Sequence, residues 1–289
     1  MWIIGRNSSR GEAILDQLRL ASAEGHRRRN PSAESPDSST NSNPHLFFSA
    51  DLSKVEDTKR VAQEIASKAG KNGIDYLIET QGGPPTGRFQ PPASPSSPEG
   101  GFAVQCGSRF GLAHILASRG IIKRGICMVA SPGNGSSLPI DPNDLDLCRA
   151  EEVGQFKQGI HGILPMGQRQ SSVLDAVTQT LAERNPSLAI THLFPGVVGT
   201  DAAATAGFPA PFIWASKALT WLGIFSSPTI GSYPEVPFYL HSNPEGVQYL
   251  RLGQSNLLGP YLGRKDLSTN VQAKSVREEI YARLEKMYG

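Results

Sequence analysis

Few side chains in this sequence have chemistry to offer, and they are scattered. His161 can exchange a proton near neutral pH, although its setting, Gly159-Ile160-His161-Gly162, also reads as a loop. Arg6 closes the apolar run Trp2-Ile3-Ile4-Gly5. A guanidinium at that point suits a bidentate, doubly charged acceptor, or is a solvated surface charge. Ser131 follows another apolar run and opens the bend Pro132-Gly133-Asn134-Gly135, where a hydroxyl can also serve the turn itself. Tyr261 and Lys265 form the one literal Tyr-x-x-x-Lys spacing, which is read as coincidence. Cys106, Cys127 and Cys148 have no metal-ligand spacing and read as reduced thiols. With no His-x-x-x-His pair, a zinc site is not expected. A Gly-x-Ser-x-Gly nucleophile elbow, a Gly-x-x-x-x-Gly-Lys phosphate loop and a recognisable carboxylate pair are missing as well.

Composition narrows the field further. With 28 basic and 26 acidic side chains in 289 residues, the formal net charge of +2 gives no footprint for nucleic acid or an anionic membrane. The N-terminus has no basic region followed by an apolar run and cleavage site, so an intracellular, cytoplasmic protein is expected. The most apolar stretch, Gly207 to Phe225, contains Pro209, Pro211 and Lys217 and reads as a lid or core helix rather than a stable membrane span.

To position these residues, strand-like and helix-like segments must alternate, which predicts an α/β parallel sheet in one domain over residues 1–289. Strands are expected at Trp2 to Gly5, His45 to Ala50, Ile74 to Thr80, Gly125 to Ala130 and Leu188 to Phe194. Helices are expected at Gly11 to Leu20, Val55 to Ala69, Phe102 to Ala117, Val173 to Glu183 and Val271 to Tyr288. Between them lie a Ser/Pro/Asn-rich low-complexity run at 27–44, expected to loop out, and a Pro/Ser/Gly loop from Pro84 to Gly101. Asp51 is placed to cap the helix that starts at Val55.

This order of elements and its turn residues resemble the short-chain dehydrogenase/reductase family, in particular its divergent fungal members associated with secondary metabolism. The motifs that carry the resemblance are Arg6 after the first strand, Asp51-Leu52 after the second, Thr80-Gln81-Gly82 after the third, and Pro195-Gly196-Val197-Val198-Gly199-Thr200 after the last. The likeness runs from Trp2 to about Thr200 and fades across 201–265, where such proteins read their substrates. It implies a Rossmann-like doubly wound sheet that, as written, starts on the family's second strand, without the first strand and the Gly-rich loop that bind pyrophosphate.

The resemblance further implies NADP(H) as cofactor. Arg6 would face its 2′-phosphate, Asp51 and Leu52 its adenine, Gly82 its close backbone approach, and Pro195, Gly196 and Thr200 its nicotinamide or phosphate. Among catalytic positions, Ser131 matches the family's carbonyl-polarising Ser and Gln105 stands for its Asn. Counting back from Pro195 puts His161 and Pro165 at the Tyr and Lys positions, so the family's acid–base pair is not found. The implied activity is NADP(H)-dependent carbonyl/alcohol interconversion on a small molecule, with a homodimer as the family's habit. The alternative is a non-redox isomerase or cyclase, or a pseudoenzyme. Ser131, Gln105, His161 and Thr200 are expected to converge at the carboxyl ends of five adjacent strands.

Overall fold

The apolar N-terminal run is extended, as its sequence demands. In this computed structural model, β1 (Trp2–Gly5) and β2 (Leu46–Ser49) pair in parallel, with Trp2 opposite Leu46 and Gly5 opposite Ser49. The structure describes residues 1–29, 45–82, 86–194, 210–221 and 236–289. Its contacts divide the chain into two compact units, Met1–Leu52 and Ser53–Gly289. In the first unit, α1 (Ser8–Arg29) provides the long connection that two parallel strands require. Asn7 starts this helix, its side-chain oxygen accepting the Arg10 N–H at 2.9 Å. The basic Arg27 to Arg29 triplet falls in the end of α1 rather than in a loop, and 30–44 lie outside the described residues. Leu15 and Phe48 form the buried centre of the unit, and the Trp2 ring lies 5.6 Å from that of Phe48.

The second unit is a four-stranded parallel sheet. Its members are β3 (Ile74–Glu79), β4 (Ile122–Val129), β5 (Ala189–Leu193) and β6 (Asn256–Leu258), in that spatial order. The expected single row of five strands is therefore corrected. Two sheets are present, and among the described residues no strand pairs with the outer edge of β1 or of β3. The three-residue β6 joins at the far side, too short to show a sequence period.

Helix α2 (Val55–Ala69) has the bounds its apolar spacing predicts, burying Val61, Ala62 and Ile65. Its N-cap is Lys54, without a side-chain bond. The Val55 N–H goes to the Ser97 hydroxyl at 3.1 Å. The helix expected from Phe102 is a composite. A short α3 (Gly100–Phe102) runs through a π turn at Ala103–Gly107 into α4 (Ser108–Ser118). Glu99 caps it, accepting the N–H groups of Gly101 at 2.9 Å and Phe102 at 2.7 Å. After the short α5 (Cys148–Glu152) comes α6 (Ile160–Arg184), twenty-five residues with Pro165 inside and exposed.

Of the apolar stretch Gly207 to Phe225, α7 (Ala210–Trp221) is described. Trp214 and Trp221 are exposed, so a fully buried core helix is ruled out there. Among the described residues no helix is long and apolar enough to cross a membrane.

One sheet face is covered by α8 (Val236–Ser242) and the turn after α9 (Pro244–Tyr249), through a cluster of Cys127, Leu193, Leu240, Leu250 and Leu258. On the other side α4 and α6 meet α10 (Lys274–Tyr288), whose Tyr281 and Tyr288 are fully buried. The Phe110 ring sits edge-on to Tyr281 at 4.9 Å, and Arg184 lies over Tyr281 at 3.9 Å.

Candidate functional site

Open parallel sheets bind ligands beyond the carboxyl ends of their strands, and the unusual polar groups of the second unit collect there. β3 ends in Glu79, which is buried, and neither of its carboxylate oxygens has a hydrogen-bond partner. Burial pushes the Glu79 carboxyl well above its ordinary range, against the pull of the Arg109 guanidinium and the Gln81 amide. Arg109, the second residue of α4, is also buried and binds the ends of two strands together. It donates to the Gln81 carbonyl at 2.5 Å, the Val129 carbonyl at 2.9 Å and the Gln105 side-chain oxygen at 3.1 Å. Burial lowers the guanidinium's affinity for its proton, while Glu79 raises it.

Gly82 stands beside this cluster with φ +109, a backbone state that favours glycine. A Cβ there would come within 2.4 Å of the Gln105 side chain. Gln105 and Gly82 are thus brought together, with the Gln105 amide oriented by Arg109.

The end of β4 is more elaborately built. Ser131 is half-buried, and its Oγ accepts from the Asn134 side-chain amide at 3.1 Å. Its N–H donates to His192 Nε2 at 3.1 Å, and its carbonyl accepts from the Ser171 hydroxyl at 2.5 Å. His192, on β5, meets Asp175 of α6 at 2.9 Å, and both are fully buried. Asp175 also receives the Gly133 N–H at 3.0 Å and the N–H and hydroxyl of Ser268 at 3.0 and 2.5 Å. A loop of glycines and small polar residues is thereby held by side chains from a helix, a neighbouring strand and the segment after β6.

Ser131 and Gln105 both lie at the carboxyl end of this sheet, as expected. His161 does not join them. It is exposed in the first turn of α6, ten residues before Ser171, or about 15 Å along the helix at roughly 1.5 Å per residue. The count back from Pro195 is therefore corrected, because the α6 turn that faces Ser131 carries Ser171, not His161 or Pro165. The whole of α6 contains neither Tyr nor Lys. Pro195, Gly196 and Thr200 lie outside the described residues. In the first unit, Arg6 is exposed after β1 and Asp51 and Leu52 are half-buried after β2, at the same end of that sheet.

The sequence reading missed Glu79, Arg109, Asp175 and His192. The available signal was a charged or polar residue set inside an apolar run. Asp175 interrupts Val173-Leu174-Asp175-Ala176-Val177, and His192 ends Ala189-Ile190-Thr191-His192. Such residues must find partners when buried.

No protein-family model matches the sequence, and no curated protein matches it. Solved structures do match the fold. The chain superposes on a variant of actinorhodin polyketide ketoreductase with NADPH at TM-score 0.54 and 15% identity, covering 91% of this chain and 87% of that one. A 3-oxoacyl (acyl-carrier-protein) reductase from Agrobacterium tumefaciens with NADP bound gives 0.53 and 15%, over 89% and 82% of the two chains. A short-chain dehydrogenase/reductase of unknown function from Caenorhabditis elegans, with cofactor, gives 0.54 and 15%, over 89% and 83%. The fold is that of the short-chain dehydrogenases/reductases, an α/β architecture with a Rossmann-like parallel sheet.

Proposed function

We propose that this chain is a short-chain dehydrogenase/reductase-type oxidoreductase that interconverts a carbonyl and an alcohol with NADP(H), within a fungal secondary-metabolite pathway. One observation carries the reading. The Ser131 hydroxyl stands at the carboxyl end of β4 with its oxygen already accepting from Asn134, which leaves its proton for a ligand oxygen. The fit of NADP(H) to the residues present rests on Gly82, exposed and without a Cβ beside Gln105. Arg6, Asp51 and Leu52 would hold the adenosine end and its 2′-phosphate, and Gly82 the approach near the reacting end. Pro195, Gly196 and Thr200 belong to the same proposal. When bound, NADPH would supply a hydride for a carbonyl carbon, and solvent water the proton for its oxygen. Ser131 would donate its hydrogen bond to the carbonyl oxygen, and Arg109 would hold the Gln105 amide beside it. Pairing as a homodimer is part of the reading and is measured by light scattering.

A second reading, a non-redox descendant or a pseudoenzyme, is favoured by the absence of Tyr and Lys from α6. Titrating the protein with NADPH by cofactor fluorescence, then adding a carbonyl compound, separates the two. Binding followed by NADPH oxidation supports the first, and binding without oxidation supports the second. A folded protein that leaves the fluorescence unchanged refutes the first.

A further inference from the structure

Beneath the Ser131 bend lies a pair of buried groups whose protonation is dictated by geometry. The Ser131 N–H points at His192 Nε2 from 3.1 Å. A backbone N–H only donates, so Nε2 must present its lone pair, and the ring's single proton sits on Nδ1, facing Asp175 at 2.9 Å. Around Asp175 there are only donors: His192 Nδ1, the Gly133 N–H, the Ser268 N–H and the Ser268 hydroxyl. That hydroxyl also accepts the Gly135 N–H at 2.9 Å. Three N–H groups and a hydroxyl thus converge on Asp175, a set of partners suited to a carboxylate. Ser131 is therefore gripped through both its peptide groups by side chains, His192 on its N–H and Ser171 on its carbonyl.

We infer that Asp175 and His192 are positioning residues for Ser131: the carboxylate fixes the imidazole tautomer, and that tautomer fixes the serine's backbone and the direction of its hydroxyl. The importance of the pair rests on the reading of Ser131 as the group that meets the ligand. The tautomer and the grip stand apart from that reading.

Asp175→Asn tests this with almost no change of shape. The new amide must donate, and the neighbours able to accept are His192 Nδ1 and the Ser268 hydroxyl, so the substitution is made on a Ser268→Ala background, which leaves His192 Nδ1 as the acceptor. The ring proton then moves to Nε2, where it opposes the Ser131 N–H. Long-range proton–nitrogen spectra should show the Nδ1–H tautomer in the wild type and Nε2–H in the variant, with the Ser131 amide exchanging about tenfold faster. Ser268→Ala removes one donor to the carboxylate but leaves the tautomer and the Ser131 amide as they were, which separates positioning from general loss of stability. A wild-type ring protonated on Nε2, or a Ser131 amide equally protected in Asp175→Asn, overturns the inference. If Asp175→Asn does not fold, the wild-type tautomer alone decides. With NADPH and an aromatic ketone, Asp175→Asn should lower kcat and leave KM nearly unchanged. A wild type without turnover counts against the function reading, while the spectra still judge the pair.

Discussion

Lowering the pH from 7.5 to 5 should cost this fold about 2 kcal/mol through one residue, His241. The residue lies in α8 against the sheet, buried, with its ring 5.4 Å from Tyr76 and its Nε2 without a partner. Burial alone pushes its pKa down to about 4. An unfolded His titrates near 6.5. As pH falls below about 6.5 the unfolded chain takes up a proton that the folded chain refuses, so stability drops until the folded group also titrates near 4. The gap of about 2.5 pH units, at about 1.36 kcal/mol each, amounts to about 3.4 kcal/mol when complete, of which about 2 has appeared by pH 5. Against a total of roughly 5 to 15 kcal/mol this is large. Urea unfolding of the wild type and His241→Phe at both pH values isolates the effect, since the other histidines are common to both. If the two proteins lose the same stability between pH 7.5 and 5, His241 is not the buried neutral group described.

Three other substitutions probe the same architecture. Gly107→Ala places a Cβ 2.0 Å from the Tyr288 hydroxyl, so α10 must shift off α4, and thermal unfolding should report a loss of about 1 to 3 kcal/mol. In Glu79→Gln the raised carboxyl is removed. The wild type should lose stability relative to this variant as pH rises from about 4.3 towards 8, because the folded group holds its proton where the unfolded one has released it, and urea titrations at pH 5 and 8 read the difference. Ser131→Ala should reduce kcat/KM for carbonyl reduction by about tenfold or more while leaving NADPH binding intact, as steady-state kinetics beside a cofactor titration would show.

The strands and helices that repeat a clear period were legible in the sequence. β1 has the predicted bounds because it is an unbroken apolar run closed by a basic turn, and α2 because its apolar residues are spaced for one buried side. The first half of α6 was not, because Gly159, Gly162, Gly167 and Pro165 argue for a loop. The helix forms nonetheless, with Gly162 packed against Gly87 and Phe156, and Met166 buried in a cluster with Leu147 and Phe156. At the candidate site, Ser131 and Gln105 were placed by what precedes them, an apolar strand and an apolar helix. The groups that orient them were not legible, since Asp175 and His192 meet only after α6 has packed on β5. His161 was misplaced for the same reason: a count along the chain carries no information on which turn of α6 faces the sheet.

The most direct test of the account is a titration of the folded wild-type chain with NADPH, followed by a carbonyl compound, alongside Ser131→Ala. The account predicts saturable binding in both proteins and cofactor oxidation that depends on Ser131. Binding by neither, or oxidation equally fast without the Ser131 hydroxyl, would contradict it.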